Sequence, residues 1–441
     1  MADSAERSAQ EQPAPIEHSN IPAEVTSTEK KYPEWNHSKT SVAQVLACFW
    51  SFIVMGANDA AYGALINYIG RYYELSYIVV SLIFLSPLAG YTTAAIANNS
   101  VHKMWGQRGV AIITSCCHVI AYAIIAAHPP YPALVIAFMI AGLGNGIGDA
   151  GWNALFGNLA NSNQLLGFLH GFYGVGAVIS PLVATKHGHY CCATLVGLAG
   201  IEVITSVASF WKQDGAAYQA AMKEHETVYS GSGEDGNGTA SDGDKSMLRR
   251  VLFTRPSARV TWLVSIFLLG YVGVEVALGG WIVVFMIEVR KAEPFASGMT
   301  ATGFWLGITL GRFVLGFATP RIGEKTSIVI YLALITGLEL IFWLVPQFIV
   351  SAVAVALQGF FLGPLFPAAV VVMSRLLPRH VHVSAIGFAA AIGMSGAAIM
   401  PFAVGAIAQV KGVQVLQPII LALLVTISLL WLALPRIGTG K

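Results

Sequence analysis

The chain has 441 residues, of which 55% are hydrophobic and only 11% charged, and its mean hydropathy is +0.65. A soluble domain carries about 25% charged residues, so a soluble globular fold is excluded. The net charge of +2 gives no reason to expect nucleic acid as a partner, and the composition is that of a polytopic membrane protein.

Residues 1–41 are polar, carry Pro13, Pro15, Pro22 and Pro33, and lack the apolar core of a signal peptide. They are expected to form a disordered tail. A membrane helix needs about 20 apolar residues. Twelve such stretches follow: 42–66, 77–97, 109–127, 132–160, 165–186, 191–211, 258–287, 297–318, 326–345, 347–374, 383–409 and 414–434. The second contains Pro87 and the tenth Pro364 and Pro367, which membrane helices tolerate where neighbours satisfy the freed backbone groups. Six stretches make an N-terminal half, 42–211, and six a C-terminal half, 258–435. Between them, 212–257 reads as a linker loop. Its centre, SGSGEDGNGTASDGDKS, is flexible in composition, and its basic end, Lys245 to Arg259, suits a membrane surface. Residues 436–441 form a short tail.

Lysine and arginine set the orientation. With the N-terminus inside, about 19 of the 25 fall on the inner side, and Arg71, Lys186, Arg290, Lys291 and Lys411 fall outside. Both termini and the linker are therefore expected in the cytosol, with the plasma membrane preferred over the vacuole or another organelle. The sequons at Asn36, Asn98 and Asn237 all fall on the inner side and are expected to be unmodified. Cys48, Cys116, Cys117, Cys191 and Cys192 have neither metal-ligand spacing nor a disulfide framework and read as packing residues. No metal or other cofactor is implied.

The fourth stretch is the most informative. Asn145, Asp149, Trp152 and Asn153 stand at i, i+4, i+7 and i+8, one polar and aromatic stripe on an otherwise apolar helix. A carboxylate at the centre of a span costs about 2.5–3.5 kcal/mol on insertion scales. It is kept where it faces a polar cavity, or where it ties its helix to a neighbour. Asn158 lies off the end of the stripe. In the first stretch Asn58, Asp59 and Tyr62 close a polar patch; in the fifth, His170 and Tyr173 share a face. The seventh pairs Tyr271 with Glu275 at i, i+4, with Trp281 beyond; the eighth carries Trp305 and Arg312; the tenth has the lone amide Gln358.

Amides, tyrosine hydroxyls and indoles together suit a polyhydroxylated or mixed polar solute, although Trp281 and Trp305 fit core packing equally well. Glu275 is either a ligand for solute or cation, or the counter-charge that Arg312 needs inside a membrane. Asp59 and Asp149 suit proton coupling, with His170 as a relay. Glu202 and Glu339 lack a polar stripe and are expected to be satisfied locally. His102, His128, His187 and His189 fall at expected loops and read as solvated.

The halves repeat. GFLHGFYGVGAVISP from Gly167 matches GFAAAIGMSGAAIMP from Gly387, pairing Gly176 with Gly396 and Pro181 with Pro401. Gly142 and Gly146 pair with Gly359 and Gly363, and Asp59 and Gly63 with Glu275 and Gly279. Glycines four apart, such as Gly303, Gly307 and Gly311, let helices approach closely. The expected fold is an all-α membrane protein of twelve transmembrane helices in two six-helix pseudo-symmetric halves, with a solute site where they meet.

From Ser41 to Pro435 this pattern resembles the major facilitator superfamily. The loop signature of that superfamily, G-x-x-x-D-R-x-G-R-R, has its echo in Gly316-Phe-Ala-Thr-Pro320-Arg321-Ile-Gly323-Glu324-Lys325, with Pro320 where the acid stands. After the second stretch only Trp105-Gly106-Gln107-Arg108 remains. The resemblance gives Arg321 a gating role, which loss of the acid leaves open. More narrowly, Asn58-Asp59-Ala-Ala-Tyr62-Gly63, Leu169-His170-Gly171-Phe172-Tyr173-Gly174 and Glu275-Val-Ala-Leu-Gly279-Gly280-Trp281 are similar to fungal facilitators akin to the fucose/hexose–proton symporter group, among them the yeast proteins named for bypass of a stop codon. That resemblance implies proton coupling by acids on helices one and four, the helices of Asp59 and Asp149. A departure is Asn67, where the group has a proline, so the end of helix one is open.

The resulting expectation is a proton-coupled secondary transporter of a small polar solute, with a sugar as the candidate, working as a monomer in the bilayer. An exporter of a fungal metabolite or drug, a non-transporting sensor and a uniporter are the alternatives. An enzyme is not expected, because no nucleophile–base set or phosphate loop appears.

Overall fold

The computed structural model describes residues 33–157, 159–186, 188–220, 252–253, 257–377 and 382–435. The tail before residue 33, the linker centre with Asn237, residues 436–441, Asn158 and His187 lie outside the described residues, as do the side chains of His189, Cys191 and Cys192. The described residues form helices and no strand. In chain order these are α1 (Lys39–Tyr72), α2 (Tyr77–Val80), α3 (Leu82–Ala126), α4 (Tyr131–Gly157), α5 (Ser162–Lys186), α6 (Gly188–Phe210), α7 (Ser257–Glu288), α8 (Pro294–Ile322), α9 (Glu324–Leu344), α10 (Phe348–Leu362), α11 (Leu365–Leu376), α12 (His382–Lys411) and, after a 3-10 turn, α13 (Leu416–Leu432).

Several boundaries differ from expectation. Ser38 caps α1 by accepting from the Ser41 amide at 3.0 Å. The helix runs on through Asn67 to Tyr72, as nothing in that stretch interrupts it. Pro87 lies inside α3 without ending it, whereas α10 and α11 are separate pieces, broken at Gly363 and Pro364. The expected loop between the second and third stretches is helical except at Gly106 (φ +63°, ψ −156°). Both limbs of α3 pack on α4, Gly90 against the Met139 carbonyl and Gly144 against Cys117, so the chain turns back at Gly106. Among the described residues eleven helical segments are long and apolar enough to cross a membrane, one of them the folded segment Tyr77–Ala126. His102, expected to be solvated, is buried within α3, its Nδ1 3.0 Å from the Asn98 carbonyl.

The internal repeat is visible in backbone contacts. A Cβ at Gly176 of α5 would lie 2.0 Å from the Ile53 carbonyl of α1; one at Gly396 of α12 would lie 2.2 Å from the Leu269 carbonyl of α7. Likewise Gly90 meets the Met139 carbonyl as Gly307 meets that of Ala356. The repeated glycines are the points where helices touch backbone to backbone. Large apolar side chains such as Ile204, Ile349 and Leu429 are exposed, as a lipid-facing surface requires.

One end of the bundle is shut. There α1 crosses α7, with Gly63 against the Gly279 carbonyl. Phe84 packs on Gly280 and Trp281, and Ser81 on Gly405 of α12. The Tyr77 hydroxyl donates to Glu288, and its backbone N–H donates to Gln409 Oε1 at 2.6 Å. Nearer the middle α5 meets α8, Gly171 against Phe313 and Gly174 against Thr309.

Candidate functional site

Asp59 sits where three helices converge. Gly56 lets α5 come close, since a Cβ there would lie 1.9 Å from the Tyr173 carbonyl. The Tyr173 hydroxyl thereby donates to Asp59 Oδ2 at 2.9 Å. Oδ1 accepts from Asn58 Nδ2 at 2.9 Å and from Asn145 Nδ2 at 3.0 Å. Asn58 also donates to the Tyr62 hydroxyl oxygen at 2.6 Å. Asp149, on α4, has a simpler shell: Asn153, one turn on, donates to its Oδ1 at 2.8 Å. Asp59, Asp149, Asn153 and Tyr173 are half-buried. His170 is exposed, edge-on to Phe52, and shares a helix face with Gly174, which meets α8. With the Tyr77 end shut, this exposure means that the seam between the halves opens toward the other end.

The C-terminal half supplies the facing wall. Arg312 of α8 donates to Glu275 Oε1 of α7 at 3.2 Å, with the two side chains 24% and 9% exposed. Of the two roles open to Glu275, the pairing with Arg312 is the one seen. Tyr271, one turn before Glu275, lies beside the pair with its hydroxyl buried. The buried Trp305 indole N–H is unpartnered, its ring edge against Gly279. A donor left unpaired inside a protein costs free energy.

Four expected site residues lie elsewhere. Trp152 is fully buried, donating to Ser51 Oγ at 3.2 Å and stacked on Phe210 of α6. The stripe on α4 spans about 100° of the helix, so Asp149 and Asn153 turn to the seam while Asn145 and Trp152 turn to neighbouring helices. Trp281 belongs to the shut end, its indole donating to the Pro401 carbonyl at 2.9 Å. Gln358 is buried between α10 and α9, donating to Glu339 Oε2 at 2.8 Å. Arg321 is exposed at the end of α8. The bidentate ion pair near that end is instead Arg375 with Glu324, at 2.6 and 2.8 Å.

Two residues of the shell escaped the sequence reading. His118 of α3 lies 2.9 Å from Asn145 Oδ1 and 2.7 Å from Glu202 Oε2. Its signal was a lone histidine in the apolar run around Cys116 and Cys117. Glu202 is not satisfied locally, as expected, but by His118 and by Ser51 on two other helices. Among the described residues no group of three or more His, Cys, Asp or Glu could hold a metal ion.

Arg312→Met leaves the Glu275 carboxylate in the seam without its cation. Breaking a fully buried pair costs about 3–5 kcal/mol, and the partial exposure of Arg312 places this one near the lower end. Thermal unfolding in detergent is expected to drop by several degrees, and the double variant with Glu275→Gln to recover most of the loss. A double variant no more stable than the single one would show that the pair does not carry this energy.

A family model described as Major Facilitator Superfamily matches residues 47–299 and 276–440. The chain is 30% identical over 424 residues to Bypass of stop codon protein 6 of Saccharomyces cerevisiae, covering 90% of this chain and 83% of that protein. It is 22% identical over 385 residues to an uncharacterised MFS-type transporter of Yersinia pestis, covering 85% and 86%. The crystal structure of a D-xylose-proton symporter superposes with a TM-score of 0.70 at 13% identity, over 91% of this chain and 99% of that one.

Proposed function

The chain belongs to the major facilitator superfamily of membrane transporters, and we propose that it carries a small polar solute, a sugar in the first instance, by alternating access in symport with protons. The observation that carries this reading is the composition of the seam. Two half-buried carboxylates, Asp59 and Asp149, face a wall that holds the Glu275–Arg312 pair, the Tyr271 hydroxyl beside it and the unpartnered indole N–H of Trp305. Hydroxyl groups of a polyol would meet the donors as acceptors and the carboxylates as donors. The two acids are groups whose protonation can change as the cavity alternates between water and closed protein. The solved relative of like fold is itself named a proton symporter of D-xylose, which agrees with this reading.

On the charge distribution, both termini lie in the cytosol and the shut end faces outward, so the cavity opens inward. We assign the protein to the plasma membrane as a monomer with no cofactor and no nucleic-acid partner. Uptake into proteoliposomes, with and without an inward proton gradient, tests the function over hexoses, pentoses, 6-deoxyhexoses and small organic acids. Accumulation of one sugar that depends on the gradient is expected. Uptake that ignores the gradient would make the protein a facilitator, and uptake of no solute would turn the reading toward export or sensing.

A further inference from the structure

A continuous chain of hydrogen bonds leads from the cavity into the sealed interior of the N-terminal half. Asp59 Oδ1 accepts from Asn145 Nδ2 at 3.0 Å, Asn145 Oδ1 faces His118 Nε2 at 2.9 Å, and His118 Nδ1 faces Glu202 Oε2 at 2.7 Å. Glu202 Oε1 then accepts from Ser51 Oγ at 2.6 Å, which in turn accepts from Trp152. His118 and Glu202 are both 0% exposed. The chain joins α1, α3, α4 and α6, and the transport reading above assigns no role to its inner members.

The direction of each bond follows from chemistry. A carboxylate accepts and does not donate, so the amide of Asn145 turns its NH2 to Asp59 and its oxygen to His118. His118 Nε2 must therefore carry a hydrogen. The imidazole has two neutral tautomers, and the one with a bare Nε2 would turn the Asn145 amide over and present its oxygen to Asp59. A carboxylate at Nδ1 favours the imidazolium, in which Nε2 always donates.

We propose that His118 and Glu202 are positioning residues for Asp59: Glu202 holds His118 as a donor at Nε2, and His118 locks the Asn145 amide so that it donates to the Asp59 carboxylate. The pair thus sets how readily Asp59 takes a proton, without touching solute. This inference rests on the reading of Asp59 as a coupling acid. Other ionisable groups face the same region: Tyr62 on α1, Tyr91 and Tyr122 on α3, Asp149 on α4 and Tyr173 on α5, with Glu275 and Arg312 across the seam. All of them remain in Glu202→Gln and Asn145→Ala, the two variants that test the proposal.

The test is an infrared pH titration of the protonated-carboxyl stretch in the full-length protein in lipid nanodiscs, which needs no solute. Asp59→Asn and Asp149→Asn assign the two bands. Glu202→Gln keeps the shape of the side chain but removes its charge. Asn145→Ala cuts the chain and leaves the buried pair intact, which guards against a Glu202 variant that fails to fold. In each, the Asp59 midpoint is expected to rise by about one pH unit, the effect of losing one charge-assisted donor, while the Asp149 band stays in place. In the double variant the two shifts are expected not to add, because both act through one amide. An Asp59 band that titrates in Glu202→Gln and Asn145→Ala as it does in wild type would overturn the proposal. So would additive shifts, which would mean that Glu202 acts on Asp59 independently of the amide. Gradient-driven uptake is scored separately: coupling without a titration shift defeats only this inference, and a shift without coupling defeats only the transport reading.

Discussion

Asp59→Asn is expected to abolish accumulation of solute against its gradient. With one proton carried per solute, an imposed difference of one pH unit supports about a tenfold accumulation. The variant should bring that ratio to one, because an amide cannot gain and lose the proton that links the two fluxes. It should also slow solute exchange at equal pH. Asp59 is the junction of α1, α4 and α5, accepting from Asn58, Asn145 and Tyr173. An amide at that position would set its own NH2 against one of those donors and re-aim the partner. Asp149→Asn is expected to differ in kind. Among the described residues its side-chain donor is Asn153, on the same helix, so accumulation is lost while exchange stays close to wild type. The measurements are the accumulation ratio and counterflow in proteoliposomes. Wild-type accumulation in Asp59→Asn would remove it from the coupling path.

The sequence was legible where one helix suffices to make the argument. A carboxylate in an apolar span needs a reason, and Asp59, Asp149 and Glu275 each stood out from a single stretch, although whether Glu275 pairs with Arg312 stayed open. What failed needed the relation of one helix to another. A stripe as wide as the one on α4 faces two neighbours, and nothing along the chain says which of its members turns inward; Trp152 and Asn145 did. The Glu202 carboxylate is met from other helices, by His118 of α3 and Ser51 of α1. The repeat paired Gly63 with Gly279 as equivalents in the two halves. That equivalence does not reveal that the two meet, which depends on how the halves are tilted.

The contact between those two glycines makes Gly63→Leu the second variant with a large expected effect. A Cβ at residue 63 would lie 2.1 Å from the Gly279 carbonyl oxygen and 2.8 Å from Gly280 Cα. Both are backbone atoms, so no rotamer change relieves the overlap. Within the N-terminal half the substitution disturbs little, because the atoms it meets belong to α7. The least costly relief is to part the two halves at this end as rigid bodies. Overpacking costs about 1–3 kcal/mol, and a bias of that size moves a two-state equilibrium about 5- to 150-fold. Spin labels at Arg71 and Gln409 report the change, since these residues line a cavity of about 320 Å³ at the shut end, one from each half. The label separation is expected to lengthen in Gly63→Leu, and net uptake to fall, because a carrier held open at one end cannot complete its cycle. Gly70→Leu is the control: it lies on the same helix, and a Cβ there meets nothing within 4 Å. If the separation in Gly63→Leu matches the control while uptake still falls, the loss would come from damage within a half. A lengthened separation with normal uptake would mean that closure of this end is not a step of the cycle.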